Sequence, residues 1–213
     1  MKKIIHAILA SLAITSAGCA TAYYSTLEQF GIEKRDVLVD RVKDARTEQK
    51  QTQKVFTSAL EEFRTLVAVD GGDLERQYDK MNTSFERAQK QAADVRTRID
   101  AVEEVGNRLF KEWEAELKEY ESPELRARSE QQLFGTRTQF DELTLTMNRA
   151  AEKMDPVLAL YQDQVLFLKH NLNARAISSL EIERARIEER VSVLVDEMNE
   201  AIEEADRFIA SMS

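Results

Sequence analysis

From Asp36 onward the apolar side chains recur at alternating spacings of four and three residues. Leu38, Val42 and Ala45 open the series, polar Gln49 and Thr52 keep its phase, and Phe56, Ala59, Phe63 and Leu66 complete it. Such a period lines one face of a helix and predicts a long first helix ending at Gly71-Gly72. A second series runs through Leu74, Tyr78, Met81, Phe85, Ala88, Ala92, Val95, Ile99, Val102, Gly106, Leu109, Trp113 and Tyr120. Its register holds for more than about six heptads, the strongest structural signal in the chain.

Ser122-Pro123-Glu124 carries a helix start: a serine to cap, a proline at the first helical position and a carboxylate near the positive dipole end. The third stripe then uses Leu133, Thr136, Phe140, Leu143, Met147, Ala150 and Met154. Asp155-Pro156 either caps a new helix or kinks this one, because proline lacks the N–H and its ring meets the carbonyl four residues back. Val157, Leu158, Leu160, Tyr161, Val165, Leu166 and Leu168 follow, up to a break near Asn171 to Asn173. The last stripe is Ile177, Leu180, Arg184, Ile187, Val191, Leu194, Met198, Ala201, Ala205, Phe208 and Met212.

If Pro156 only kinks its helix, four arms of about 38, 47, 48 and 37 residues result, the inner two approaching roughly 70 Å. The expected fold is all-α: an elongated antiparallel bundle, coiled-coil in pattern, of four to five long helices in a single domain over residues 32–213. The turn at Glu121 to Pro123 should overhang the end from which the N-terminal segment leaves. Ala88, Ala92 and Gly106 would permit close helix approach. Polar Gln49, Thr52 and Arg184 would fix register or mark ragged bundle ends. The stripes can be satisfied within one chain or between two, which leaves a homo-oligomer open.

Composition supports this class. Six glycines, two prolines, 32% charged and 7% aromatic residues suit long amphipathic helices better than a turn-rich sheet. Removing Lys2 and Lys3 with a leader takes the 30 basic side chains to 28, against 39 acidic ones, a formal charge of −11. Such a surface repels phosphate backbones and anionic headgroups, and no basic patch offsets it, so nucleic acid is not an expected partner. A single cysteine excludes an intrachain disulfide and a cysteine-built metal site.

That cysteine follows a leader. Lys2 and Lys3 form a basic start, Ile4 to Ile14 a short apolar run, and Ser16, Ala17 and Gly18 a small-residue stretch before Cys19. The apolar run is too short to span a bilayer permanently. Ala17-Gly18-Cys19 resembles the bacterial lipobox, with Ser16 where an aliphatic residue is usual. The resemblance implies a lipoprotein signal peptide over 1–18, acylation of Cys19 as the lipid-attachment residue, and a lipidated tether over 19–31. With Ala20 in place of an inner-membrane aspartate, it also implies the periplasmic face of the outer membrane. The alternative is ordinary cleavage after Ala20-Thr21-Ala22, which would release a soluble protein. Ala20 to Phe30 would reach at most about 35 to 40 Å if extended. Tyr23, Tyr24 and Phe30 on it would sit at the headgroup boundary or pack against the bundle end.

The stretches from Gly31 to Val42 (Gly-Ile-Glu-Lys-Arg-Asp-Val-Leu-Val-Asp-Arg-Val) and from Val165 to Ala176 (Val-Leu-Phe-Leu-Lys-His-Asn-Leu-Asn-Ala-Arg-Ala) resemble the hallmark segments of a bacterial family, domain of unknown function 2959. The similarity covers nearly the whole mature chain. It implies an envelope lipoprotein of Gram-negative bacteria and brings no activity with it.

Chemistry is sparse. His170, alone in the mature chain, is either a ligand or pH-sensitive contact, or a helix-end residue acting with Lys169 on exposed carbonyls while Asn171 or Asn173 takes a left-handed cap. Carboxylates at Glu103-Glu104, at Glu112, Glu114 and Glu116, and at Glu203-Glu204 could act as acid and base or bind cations, but with this much basic interleaving they read as a solvated face. Met147, Met154, Met198 and Met212 fall at heptad spacing and are expected in the core. No phosphate-binding loop, nucleophile elbow or Glu-x-x-His pair occurs. No catalytic, cofactor or metal residue is expected, and an enzyme is not.

These readings converge on a lipid-anchored, non-catalytic structural or protein-interaction module of the cell envelope, tied to the bilayer through Cys19 and engaging an envelope protein. The alternatives are a crescent-like (BAR-like) membrane-remodelling module and a periplasmic chaperone-like binder.

Overall fold

The computed structural model describes residues 33–68, 74–171 and 174–212, with side chains of the last segment from Leu180 on. The described residues form five helices: α1 (Lys34–Val67), α2 (Leu74–Glu116), α3 (Pro123–Glu152), α4 (Met154–His170) and α5 (Ala174–Met212). No strand occurs among the described residues. The leader, Cys19, the tether, Gly71-Gly72, Leu172 and Asn173 lie outside them.

Local chemistry sets most of the ends. Glu33 has an extended backbone, and its carbonyl accepts the N–H groups of Asp36 at 3.0 Å and Val37 at 3.1 Å, which starts α1. At α3, Ser122 Oγ accepts the Leu125 N–H at 3.3 Å and Pro123 occupies a position that needs no donor, as its sequence requires. The second helix stops short of its stripe. After Glu116 the N–H groups of Lys118 and Glu119 bond to carbonyls three residues back, at 3.2 and 2.9 Å, and this tightening ejects Tyr120 into the turn, 42% exposed.

Pro156 bends its helix without ending the arm. It has no N–H for the Glu152 carbonyl, so the regular ladder lapses at Lys153, one turn earlier. Lys153 keeps a helical backbone, φ −68° and ψ −14°, and its N–H reaches Arg149 O at 3.3 Å. Asp155 pairs with Arg96 of α2 at 2.6 Å. Helices α3 and α4 thus form one bent arm, and the molecule has four long arms.

Those arms form a ring. Helix α1 packs on α2 and α5, the α3–α4 arm packs on the same two, and α1 lies diagonally across from it. Ion pairs between arms record the antiparallel order: Lys34 with Glu112 at 2.8 Å, Arg64 with Glu188 at 2.7 Å, and Arg149 with Glu197 and Glu200, each at 2.5 Å. All nine stripe positions of α1 are buried, Gln49 and Thr52 included. At roughly 1.5–3 kcal/mol per large side chain removed from water, this shared seam is what holds the arms together.

A cluster of three rings ties α2, α3 and α5: Phe110 to Phe140 at 5.2 Å between centroids and Phe140 to Phe208 at 6.0 Å. Gly106 makes room for it. A Cβ there would lie 2.2 Å from Phe140 Cζ, so the small residue in the stripe does permit the expected close approach. Two stripe assignments need correction, and one of the two cap candidates takes another form. Arg184 is exposed and pairs with Glu181 on its own helix at 2.8 Å, so it fixes no register. Leu166 is 50% exposed, on the outward side of α4. Asn171 caps α4 with φ −133°, outside the left-handed region, using its side-chain amide to donate to Phe167 O at 2.9 Å.

The α2–α3 hairpin outruns the other two arms. Lys34, at the start of α1, pairs with Glu112, and the guanidinium of Arg35 donates to the carbonyl of Met212, the last residue of α5. Past that level, among the described residues, only α2 and α3 continue, with Trp113 Nε1 donating to Ser129 Oγ at 2.8 Å across the gap. Ten residues of α3, from Pro123 to Gln132, extend about 15 Å beyond the α1 start, as the arm lengths anticipated.

Candidate functional site

Cys19, the one residue assigned a chemical role, lies outside the described residues. The described chain begins at Glu33. Glu33 lines an open groove of about 320 Å³ at the base of the overhang, with Lys34, Arg35, Leu109, Trp113 and Met212 among the other walls. The groove exists because α1 and α5 stop there while α2 and α3 do not. Trp113 is half-buried, its indole N–H donating to Ser129 Oγ, and it lines the groove.

The acidic runs are drawn into pairs. Glu103 accepts from Asn148 of α3 at 2.6 Å, and Glu104 pairs with Arg108 at 3.1 Å. Glu112 holds Lys34, Glu114 holds Arg137 of α3, and Glu203 and Glu204 both reach Arg207, Glu203 at 4.0 Å. Glu204 is buried to 5% exposure, whereas Arg207 is open to solvent. Glu116 lines the groove. None of these runs converges on a shared cleft with another. Among the described residues no group of three or more His, Cys, Asp or Glu side chains is placed to hold a metal ion.

His170 is the exposed last residue of α4, beside Lys169 in the final turn, where two cationic or polar side chains suit the negative helix end. Met147, Met154 and Met198 are completely buried and Met212 nearly so, packed as core residues. Electrostatic perturbation falls on ion-paired cations and on one buried phenol. Glu200 and then Glu197 raise Arg149 above its usual range, and Glu188 does the same for Arg64. Tyr161 is raised strongly by burial and next by the charge of Glu62, and its hydroxyl has no hydrogen-bond partner.

The periodic reading missed the outward apolar residues. Phe134 is 75% exposed and Leu145 64%, and they lie about three turns apart on one line of α3, opposite its core face. On α5, Ile182 is 79% exposed, with Val193 on a similar line. A signal was present: each sits off its stripe, next to or two residues from a core position. A search for stripes discards such residues. No described helix is long and apolar enough to cross a membrane.

No curated protein and no solved structure matches the chain. The model of a family described as a protein of unknown function, DUF2959, matches residues 23–212. With a match over the whole bundle, including the ten residues that precede Glu33, the chain belongs to the DUF2959 family.

Proposed function

We propose that the protein is a periplasmic lipoprotein of the outer membrane, held by acylated Cys19, that acts as a non-catalytic structural or protein-interaction module of the cell envelope. The observation that carries this reading is the placement of the chain's only cysteine directly after a basic, apolar and small-residue leader. Acyl chains at that position contribute about 0.8 kcal/mol per buried CH₂, and more than one chain gives stable attachment without a spanning helix.

The bundle's geometry supports the second half of the reading. We read the hairpin tip, at the same end of the bundle as Glu33, as directed to the bilayer and the sides of the bundle as directed to the periplasm. On those sides Phe134, Leu145 and Ile182 stand out of the surface, where they favour contact with another apolar surface. The acidic surface suits a partner with basic or neutral rims.

Photo-cross-linkers placed at Phe134 and at Ile182 in living cells should trap the same envelope protein from both positions, and Phe134→Ser with Leu145→Ser should abolish its recovery. Trapping only abundant porins, equally from a control position such as Glu130, would argue against an interaction module.

A further inference from the structure

Among the described residues only α2 and α3 run on above the groove, whose rim is formed by the ends of α1 and α5 at Lys34, Arg35 and Met212. Leu109, Trp113 and Thr136 line it, while higher up Leu125 remains 53% exposed and Tyr120 42%. Leu109, Trp113, Leu125 and Thr136 belong to helices whose turns lower in the bundle are closed by α1 on α2 and by α5 on α3. A two-helix hairpin cannot bury its own stripe, so this face calls for a third element.

The chain supplies a candidate at that place. Glu33, the first described residue, lines the groove, so the segment before it is joined to the chain at that place. Residues 20–32 carry Tyr23, Tyr24, Leu27, Phe30 and Ile32 and only one charge, Glu28, in a protein that is 32% charged. Tyr23, Leu27 and Phe30 repeat the four-then-three spacing of the stripes, the pattern of a short helix with one apolar face. The family match begins at Tyr23, which includes this segment in the same unit as the bundle.

We infer that residues 23–30 dock, apolar face inward, in the groove formed by α2 and α3 beyond the start of α1. This is helix-in-groove recognition within one chain, with Tyr23, Leu27 and Phe30 as anchors and Trp113 as floor. The docked segment completes the tip as a three-element layer. Should Cys19 also be acylated, the free tether shrinks to Ala20–Ala22, about 10 Å, and the tip is held against the headgroups.

The test uses the mature chain with Cys19→Ser, which has no native thiol, so its outcome is independent of acylation. Gln29→Cys, beside the anchor Phe30, is paired with Gln132→Cys and, separately, with Glu116→Cys, both exposed groove positions, and with Ser58→Cys at the far end as control. Under mild oxidation an intrachain disulfide should form with at least one groove position and not with Ser58→Cys, since bridging requires Cα atoms within about 7 Å. In parallel, the triple substitution Tyr23→Ala, Leu27→Ala and Phe30→Ala should shift Trp113 emission, the only tryptophan signal, to the red and raise its quenching by acrylamide, with helicity retained. Interchain disulfides would give the groove to a second copy and overturn the inference. So would free thiols at both groove positions, or an unchanged Trp113 signal.

Discussion

Leu143 and Leu125 are the same residue type on the same face of the same helix, about five turns apart. The first is completely buried and the second 53% exposed. At Leu143 four arms pass, and Leu38, Val42, Ala88, Met147 and Met198 at other levels of that closed section are equally inaccessible. At Leu125, among the described residues, only α2 and α3 pass. Periodicity determines which way a side chain points; the number of neighbouring helices determines whether it is buried. The closed section therefore carries the stability, and the open tip has surface to offer.

Substitutions can break or sharpen that contrast. The largest effect belongs to Phe140, centre of the three-ring cluster: Phe140→Ala should cost about 3–5 kcal/mol in urea unfolding. Next comes Gly106→Ala, whose new methyl meets the Phe140 ring and should cost about 1–3 kcal/mol, with partial recovery in combination with Phe140→Leu. The opposite sign is expected at Gln49, fully buried with neither amide oxygen nor nitrogen partnered. Gln49→Leu should stabilise by about 1–2 kcal/mol, and a loss would mean that the amide has a partner in solution.

Tyr161→Phe should change stability by less than about 1 kcal/mol at neutral pH, because the hydroxyl lost has no partner. Its signature lies in alkali. The folded-state phenol is raised, so the wild-type bundle keeps its full stability below about pH 10 and loses it progressively as pH rises further, where the unfolded chain ionises first. Thermal melts between neutral pH and alkali should show that decline blunted in the variant. Smallest of all, Leu125→Ala at the tip should fall within about 0.5 kcal/mol in a chain lacking residues 20–32. A core-sized loss there would refute the division between closed section and open tip.

Much of this fold was legible from spacing. Every stripe position of α1 is buried, polar Gln49 and Thr52 included, and the Ser122 cap and the overhang stand where the sequence put them. Phe110 was passed over because the buried face of a four-arm bundle is wider than a two-residue seam, so residues beside the stripe also enter the core. Tyr120 and Leu166 went the other way, one past the end of its helix and one outward on α4, because period alone does not report where packing stops. Pro156 bends an arm that α2 and α5 hold from both sides, a tertiary outcome that the dipeptide does not encode. The site was less legible than the fold. Cys19 rests on a leader pattern, and Phe134, Leu145 and Ile182 fall outside any period.

The most direct test of the lipid-anchored module is the intact mass and fractionation of the full protein from membranes, beside a Cys19→Ser variant. The account predicts an acyl mass increment on a chain beginning at Cys19, and its loss, together with release from the outer-membrane fraction, in the variant. A mass corresponding to cleavage after Ala22, or unchanged membrane association of Cys19→Ser, would contradict it.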